Sequence, residues 1–554
     1  MKGKQIELSA SHWVQAFEHV HRDFSAEGIL ATEKALQKLL QSSFKLSENK
    51  FKELHHMLLF CLAYPGSTPT FDRANLLMQR LVQAVTKEVK KNPNFLYNSG
   101  ITGSMVCAQF GLWLNQYLLE EKLTTLYLES VEADASDLVA KLSYTLDDVE
   151  QEFIQANVAY YADWKKVYYG AVKGKKQELS YLVAACIQCT GSISYRENMF
   201  ANFQLFSTFS LDANLLGLSL GRALPDKPYI HSNGIQKHST LTAIFALGRP
   251  KRQLITAKQQ AHLVRVARGA MASLLRETDT FTYAQSNETR YYDMGEGIHI
   301  ALYFMVPEQK FSLQSYIGFM LFKNGLPMAY GGCWLIGKQA AFGVNVLPPY
   351  RGGESSKVVA QLLRLYHYEF SISQFTVDPY QIGKGNAEGI ESGAFWFYYK
   401  LGFRPTEAKL QKLAAREYEK MKLQKNYRSS LKTMLTLVDK DVAWQILEEA
   451  PEVLGLNQIS KTVSTHVSKH FEGNRQAAKQ AAKAKAQKIL AEPISNTNFF
   501  NRLLVFLDAL GAFEKLSKKD LQKVAEAYQL KAKNEADAFV ALQSVHSFWD
   551  LFNR

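Results

Sequence analysis

The chain has 554 residues, of which 47% are hydrophobic and 21% charged, so we expect about three domains and exclude an intrinsically disordered chain. Five cysteines argue against a disulfide framework and for a reducing compartment. No secretory signal is visible and no run reaches the ~18 apolar residues that span a bilayer, so we expect a cytoplasmic protein with no membrane span.

Residues 1–275 are predicted to be mostly helical. Apolar residues recur at intervals of three and four, as in Ala31–Leu40 and Leu76–Val85. Asn92-Pro93-Asn94 interrupts the pattern, so two subdomains that meet near residues 90–100 are an alternative to a single one. Residues 105–120 are also expected to be helical.

The pattern changes after about residue 289. Apolar runs predict strands over 297–304, 316–322, 326–335, 341–346 and 374–377, and the apolar spacing of 355–370 predicts a helix. Lys323-Asn324-Gly325 predicts a tight hairpin turn, because Asn and Gly accept the positive φ that such a turn needs. Residues 276–408 are therefore predicted to form an α+β (α/β) unit with a mixed sheet. All-helical regions are expected on both sides of it.

Residues 409–554 are predicted to be helical and rich in lysine. The net charge of the chain is +13, and residues 401–554 carry +8 of it, with 25 Lys and Arg against 17 Asp and Glu. A basic surface attracts CoA, acyl carriers or nucleic acids without choosing between them. A solvated basic face explains the same charge.

Two segments have the pattern of strand–helix junctions. The first runs from Val344-Asn345-Val346 through PPYRGGESS into the helix of residues 355–370, and the second is the aromatic helix AFWFYYKLGF, Ala394–Phe403. Residues from about 297 to 405 resemble the GNAT N-acetyltransferase superfamily, whose second motif reads AxxLYxKLGF. Phe397 stands where that family usually has Leu.

The resemblance implies an acyltransferase that uses acetyl-CoA or another acyl-CoA, or an acyl carrier, and an unidentified amine acceptor. A strand that splays from its neighbour leaves main-chain groups for a thioester and a pantetheine arm, and a helix start aims N–H groups at a pyrophosphate. Tyr398 matches the family tyrosine that protonates the departing thiolate. The predicted cofactor-binding residues are Val344, Asn345, Val346, Arg351, Gly352, Gly353, Glu354, Ser355 and Ser356.

The first departure from the family pattern is Glu354. It occupies a slot where the phosphate loop, R/Q-x-x-G-x-G/A, has glycine. Its carboxylate is expected to repel a pyrophosphate bound at the helix start. Either the loop shifts by one residue or the ligand is not ordinary acetyl-CoA.

The other two departures concern the acceptor side. The segment DPYQIGKGNAEGI is about ten residues longer than is usual between a strand and a helix, and Asp378, Lys384 and Asn386 in it are candidates to hold a substrate; a plain surface excursion is equally open. Only about ten residues separate the first strand from the second, where the family usually has two helices. The N-terminal region is expected to supply that cover.

A general base is not singled out by the pattern. The candidates within the unit are Glu391, which lies about two helical turns before Tyr398, and Asp293, Glu296, His299, Glu354 and Asp378. No metal site is predicted, because the CxxC pair Cys186 and Cys189 supplies two of the four ligands of a structural zinc and lies in an apolar segment.

The sequence leaves three functions open. The first is a GNAT-like N-acyltransferase with Tyr398 as general acid. The second is a non-catalytic binding or scaffold protein that keeps this core, which Glu354 favours. The third is polyanion binding through the basic C-terminal helices, although nucleic acid is disfavoured because their lysines are not interleaved with aromatic residues.

Overall fold

The computed structural model describes residues 9–121, 123, 125–156, 168, 172, 174–224, 227–236, 240–446, 456–494 and 499–552. In these residues the protein is α+β, organised around a large mixed sheet. Among the described helices, none is long and apolar enough to cross a membrane.

Four helices open the chain, and each begins at a serine. The hydroxyls of Ser9, Ser25, Ser47 and Ser67 accept a hydrogen bond from the backbone N–H three residues later, which satisfies a donor left free at a helix start. The helices are α1 Ala10–Val20, α2 Ala26–Gln41, α3 Glu48–Ala63 and α4 Thr68–Val89.

A second unit with its own apolar core follows. It contains β1 Met105–Ala108, α5 Leu112–Glu120, β2 Tyr127–Val131, α6 Ala135–Leu142, α7 Asp148–Ala156, α8 Lys175–Gln188, α9 Ile193–Ala201 and β3 Leu205–Ser210. The strands form an antiparallel sheet in the order β1-β3-β2. The expectation of an all-helical region is wrong here, because strands of four to six residues are too short for a clear alternation.

The central sheet has nine strands in the order β11-β12-β10-β9-β8-β7-β6-β5-β4. They are β4 Lys251–Gln253, β5 Arg290–Gly295, β6 Ile298–Tyr303, β7 Ser315–Lys323, β8 Leu326–Ile336, β9 Gln339–Val346, β10 Gln374–Val377, β11 Arg404–Pro405 and β12 Val442–Gln445. Neighbouring strands are antiparallel, apart from the parallel pair β9 and β10.

The five predicted strands β6–β10 and the hairpin are confirmed. Asn324 and Gly325 have φ of 46° and 78° between β7 and β8. Strands β4, β5 and β12 were not predicted. β12 lies in the C-terminal region expected to be all-helical, which corrects that expectation; its four residues form a strand only because they pair between β10 and β11.

Helices cover both faces of the sheet. These are α10 Leu241–Phe245, α11 Ala257–Ser273, α12 Asp279–Thr282, α13 Ser355–Phe370, α14 Pro379–Ile382, α15 Ala387–Glu391, α16 Ala394–Leu401, α17 Ala408–Leu423 and α18 Leu431–Leu437. On one face Tyr366 of α13 donates to the carbonyl of Ile317 at 2.9 Å. On the other, Tyr303 donates to the carbonyl of Leu263 in α11 at 3.1 Å. We call these the α13 face and the α11 face.

The N-terminal helices help to cover the α11 face. Tyr64, which follows α3, lies with its hydroxyl 3.8 Å from the sulfur of Met328 on β8. Asn324 in the hairpin donates to the carbonyl of Ala63 at 3.0 Å. The N-terminal region therefore packs on the α11 face, and the expectation that it covers an acceptor site stays a prediction.

The C-terminal residues form a helical bundle with a separate core. Its helices are α19 Leu456–Phe471, α20 Arg475–Leu490, α21 Leu504–Ala509, α22 Ala512–Lys515, α23 Lys518–Lys533, α24 Glu535–Gln543 and α25 His546–Asp550. Lys485 of the basic helix α20 is paired with the buried Asp508 at 2.6 Å, so part of the basic charge is neutralised inside the bundle.

A buried charged cluster joins this bundle to the sheet unit. Lys310 forms an ion pair with Glu288 and donates to the carbonyl of Lys531 at 3.0 Å. The second Glu288 oxygen accepts the backbone N–H of Glu535, at the first turn of α24, at 2.9 Å. Burial lowers the pKa of the Lys531 amine to about 8, although Glu535 opposes the shift. These charges are desolvated, so removing one of them leaves the opposite charge buried and unpaired, which destabilises the fold.

We expect Lys310→Met to destabilise the protein by about 3–5 kcal/mol, because Glu288 would remain buried and unpaired. The midpoint of the denaturant-induced transition, followed by circular dichroism, measures the change. The double variant Lys310→Met/Glu288→Gln should recover part of the loss, and Lys422→Met, which breaks an exposed pair with Glu419, should leave the midpoint unchanged. A Lys310→Met protein as stable as the wild type would contradict this account.

Candidate functional site

Strands β9 and β10 pair over a short length and then part. Their parallel register joins Gln339, Ala340 and Ala341 to Gln374, Phe375 and Thr376. Beyond Ala341, β9 continues to Val346 against β8, while β10 ends at Val377. Beyond the last pair, β9 therefore continues without a strand partner on its β10 side, and we call this unpaired stretch of its edge the split.

A cleft of about 1180 Å³ lies between the first turn of α13 and one side of α16. This volume suits a nucleotide-sized ligand. Its lining includes the predicted residues Gly352, Gly353, Ser355, Ser356 and Glu391, and from α16 it includes Gly393, Trp396, Phe397, Lys400 and Leu401.

The rest of the lining comes from segments that the sequence did not single out. They are Thr240, Leu241 and Thr242 at the start of α10, then Met421, Arg428, Ser429, Leu431 and Met434 around α17 and α18, and Trp444 on β12. No local motif marks these residues, since they meet α13 and α16 only through the tertiary fold. Arg428 is exposed, and with Lys400 it brings positive charge to the cleft.

The loop before α13 brings the backbone close to the cleft. Gly352 has φ of 77°, a conformation that strains other residues. A Cβ on Gly353 would lie 3.1 Å from the Tyr64 hydroxyl, so this position is also tight. Arg22 of the N-terminal region donates to the carbonyls of Pro349 and Arg351 at 3.1 and 2.9 Å. The loop before α13 is therefore fixed by a residue of the N-terminal region, which lies outside the sheet unit.

Glu354 points into the protein and does not line the cleft. Its carboxylate is 2.7 Å from the Lys323 amine and 3.7 Å from that of Lys357, and each of the three side chains is at most 4% exposed. Burial favours the neutral acid, but the two lysines outweigh it and the pKa of Glu354 is lowered. For Lys323 the effect of burial is larger than the attraction of Glu354, so the pKa of the Lys323 amine is also lowered. Glu354 is therefore not positioned to repel a pyrophosphate bound in the cleft, and the expectation that it does is wrong.

Arg351 connects the loop to the split. Its Nε donates to the carbonyl of Val346 at 3.1 Å, and its Nη2 is 2.7 Å from the Glu388 carboxylate on α15. The residues Val344, Asn345 and Val346 are half-buried at the β9 edge of the split. Asn345 lies on the α11 face, opposite Tyr330 of β8, and Val344 and Val346 lie on the α13 face.

Tyr398 is buried at the base of the split on the α13 face. Its ring packs edge-on against Phe342 of β9 and Phe403, with centroids 5.9 and 5.6 Å apart. Burial, followed by the charge of Asp378 at the end of β10, raises the pKa of Tyr398 well above its ordinary value. The phenol is therefore protonated at physiological pH.

The three loop candidates are engaged in structural contacts, two of them within the loop. The Asp378 carboxylate accepts the N–H of Gln381 at 3.1 Å, and the Asn386 side chain accepts the N–H of Gly389 at 3.1 Å; both are helix caps. Lys384 pairs with Asp439 at 2.8 Å on the surface. The prediction that these side chains hold a substrate gains no support from this geometry.

The remaining candidates for a general base are not gathered at the split. Glu296 forms an ion pair with Lys357, and Asp293 lies 4.0 Å from His299. Glu391 is exposed and lines the cleft. Cys186 and Cys189 are buried free thiols in the core of the second unit, and within the described residues no group of His, Cys, Asp and Glu side chains is arranged to hold a metal ion.

Comparison of the chain with models of known protein families, with curated proteins and with solved structures finds no match.

We expect Glu354→Gln to destabilise the protein by about 3–5 kcal/mol without creating a tighter anion site, because it leaves Lys323 buried without its partner. Since the folded-state pKa of Glu354 is lowered from 4.5, the pair's contribution is complete above that pH and is lost as the pH falls through the folded pKa. Thermal unfolding from pH 7 down to pH 3 should show a difference between the two proteins that shrinks with acidification. A constant difference would contradict the assignment.

Proposed function

We propose that the protein is an N-acyltransferase of GNAT-like fold that moves an acyl group from acyl-CoA, or from an acyl carrier, to an amine. The observation that carries the proposal is a cleft between the first turn of α13, the helix that follows β9, and α16, the helix that carries Tyr398. Open α/β sheets bind ligands at the carboxyl ends of their strands. The resemblance of residues 297–405 to the GNAT superfamily supports the same activity.

The first turn of α13 supplies the donor end of the site. Gly352, Gly353, Ser355 and Ser356 line the cleft without a bulky side chain, so a pyrophosphate can reach the N–H groups of the helix start, and the helix dipole favours its charge. The Glu354 carboxylate is bonded to Lys323 and turned inward. Lys400 and Arg428 add cations suited to further phosphate groups.

The split supplies the place for the thioester. Leu347 N–H donates to the carbonyl of Met328 on β8 at 2.9 Å. Because N–H groups alternate in direction along a strand, those of Val344 and Val346 are directed away from β8, toward the split. These groups are suited to hold the oxyanion that forms when an amine attacks the thioester carbonyl.

Tyr398 is suited to act as the general acid. The amine nitrogen bonds to the carbonyl carbon and gives up a proton to a base, the carbon–sulfur bond breaks, and the departing thiolate takes the phenolic proton of Tyr398. A buried phenol that stays protonated can serve this step. The proton returns to Tyr398 from solvent after the thiol leaves.

The alternative of a non-catalytic scaffold rested on Glu354. Since its carboxylate faces Lys323 and not the cleft, that reason no longer applies. The polyanion alternative keeps the exposed lysines of α20 as its support, but no second feature of that helix favours it.

We expect acetyl-CoA to bind and Ser356→Asp to weaken it about tenfold or more, since a carboxylate in the first turn of α13 would oppose the pyrophosphate. Isothermal titration calorimetry measures both affinities. Gln476→Asp is the matched control, because it places a carboxylate at the same second position of the exposed helix α20. Absence of acetyl-CoA binding at millimolar concentration, or equal affinity in the Ser356→Asp protein, would reject this donor site.

We expect Tyr398→Phe to reduce kcat about 100-fold or more while the affinity for acetyl-CoA stays the same, because only the acidic hydroxyl is lost. A thiol-release assay with a panel of amines measures kcat. Tyr399→Phe, one residue along the same helix, is the control and should retain activity. Unchanged turnover in Tyr398→Phe would remove this residue from the mechanism.

A further inference from the structure

The outer face of α17 carries a row of basic side chains. The residues of this helix that face the protein are Leu410, Ala414 and Glu417, all of them buried. On the opposite side, residues at intervals of three and four form one line along the helix. We call this line the basic row, and its members are Lys409, Lys412, Arg416, Lys420 and the terminal Leu423. Lys420 is half-buried and the other four are exposed.

The loop after α17 continues this charge into the cleft. The buried carboxylate of Glu417 accepts hydrogen bonds from the Lys420 amine at 2.8 Å and from the Tyr427 hydroxyl at 2.7 Å. Tyr427 therefore fixes the loop against α17, and the next residue, Arg428, lines the cleft. Met421, in the last turn of α17, lines it too. The C-terminal end of the basic row therefore lies beside the cleft.

Most of the cations in this region have no acidic neighbour. Residues 408–437 contain eight Lys and Arg against two Glu. Both glutamates are already paired with lysines of α17, at 2.8 and 2.7 Å. Among the residues that the structure places, the other six cations form no ion pair: Lys409, Lys412, Arg416, Lys425, Arg428 and Lys432. Such a field of one sign attracts an acidic partner.

These charges extend further than a ligand in the cleft can reach. Of the six unpaired cations, Arg428 lines the cleft and the others lie outside its lining. From Lys409 to Lys420 the basic row is about 16 Å long, because a helix rises 1.5 Å per residue. A donor held in the cleft by its phosphates therefore leaves Lys409, Lys412 and Arg416 without contact. A larger acidic molecule is needed to meet them.

Exposed leucines accompany the charges. Leu423, Leu431 and Leu435 are 83%, 63% and 52% exposed, and Leu431 also lines the cleft. Protein interfaces combine apolar contacts with a charged rim, whereas contacts to a nucleic-acid backbone are mostly hydrogen bonds to phosphate and sugar. The leucines therefore favour an acidic protein over a nucleic acid as the partner.

We infer that α17 and α18 dock an acidic acyl carrier protein, which presents the acyl donor to the cleft on its pantetheine arm. Such a carrier bears the same pantetheine as CoA, attached through one phosphate to a small acidic domain. The acidic domain meets the basic row and the exposed leucines, and the phosphate passes Arg428 toward the first turn of α13. The inference rests on the proposed acyltransferase function and specifies the partner that delivers the donor.

The binding test uses the full chain and a purified bacterial acyl carrier protein of fatty-acid synthesis in its apo form, which lacks the pantetheine arm. We expect isothermal titration calorimetry to show binding that weakens about tenfold or more in Lys412→Glu/Arg416→Glu and also weakens as salt is added. Lys519→Glu/Lys523→Glu is the matched control, because it reverses two exposed lysines at the same spacing on α23, and its affinity should stay within about twofold. Leu423→Gln/Leu435→Gln should weaken binding about fivefold.

The transfer test compares the octanoyl form of this carrier with octanoyl-CoA in the thiol-release assay with a panel of amines. We expect Lys412→Glu/Arg416→Glu to lower kcat/KM for the carrier about tenfold or more, through KM. The value for octanoyl-CoA should stay within about twofold, because the two substituted residues lie outside the lining of the cleft.

Absence of carrier binding, binding that the charge reversal leaves unchanged, or an equal loss of kcat/KM for both donors would overturn the inference. A single-stranded DNA of about 20 nucleotides that binds through the basic row in place of the carrier would overturn it as well. If acetyl-CoA binds and supports transfer while the carrier does not bind, the acyltransferase proposal stands without the docking surface. If the carrier binds through the basic row and neither donor supports transfer, the docking surface stands and the acyltransferase proposal fails.

Discussion

The parallel pairing of β9 with β10 lasts for three residue pairs, and the candidate site depends on its ending there. A strand whose neighbour stops early keeps main-chain groups that the sheet does not use. β9 remains in place beyond that point because β8 pairs with it as far as Val346. The split is therefore supported from one side and open on the other, and α13 and α16 begin beside it.

A second constraint is the burial of charge under the start of α13. Three charged side chains here are almost inaccessible to solvent: Glu354, Lys323 and Lys357. Each charge therefore depends on its oppositely charged neighbour for stabilisation. Lys323 belongs to the end of β7, next to the hairpin that α3 and Tyr64 contact. The position of the helix start is thus coupled to the N-terminal helices and to the hairpin between β7 and β8. Glu354 therefore serves this internal cluster of charges and does not line the cleft.

The two sides of the split differ in chemistry. On the α13 face the cleft offers a helix start, lysine and arginine, which suits phosphate groups. On the α11 face the backbone of Gly332 and Gly343 is covered by the side chains of Tyr316 and Gln381. The long segment between β10 and α16 contributes through its fold, since Asp378 and Asn386 cap its short helices.

The sequence by itself determined the elements whose signal is local. Each of these elements is decided by residues close together in the chain, through periodicity, turn chemistry or a motif. They are the strands β6–β10, the Asn324-Gly325 hairpin, the helix after RGGESS and the aromatic helix of Tyr398. Only the tertiary structure decided the direction of the Glu354 carboxylate, the insertion of β12 between β10 and β11, and the meeting of Thr240, Arg428 and Trp444 in one cleft. Each of these depends on partners tens to hundreds of residues away, for which a single sequence carries no local pattern.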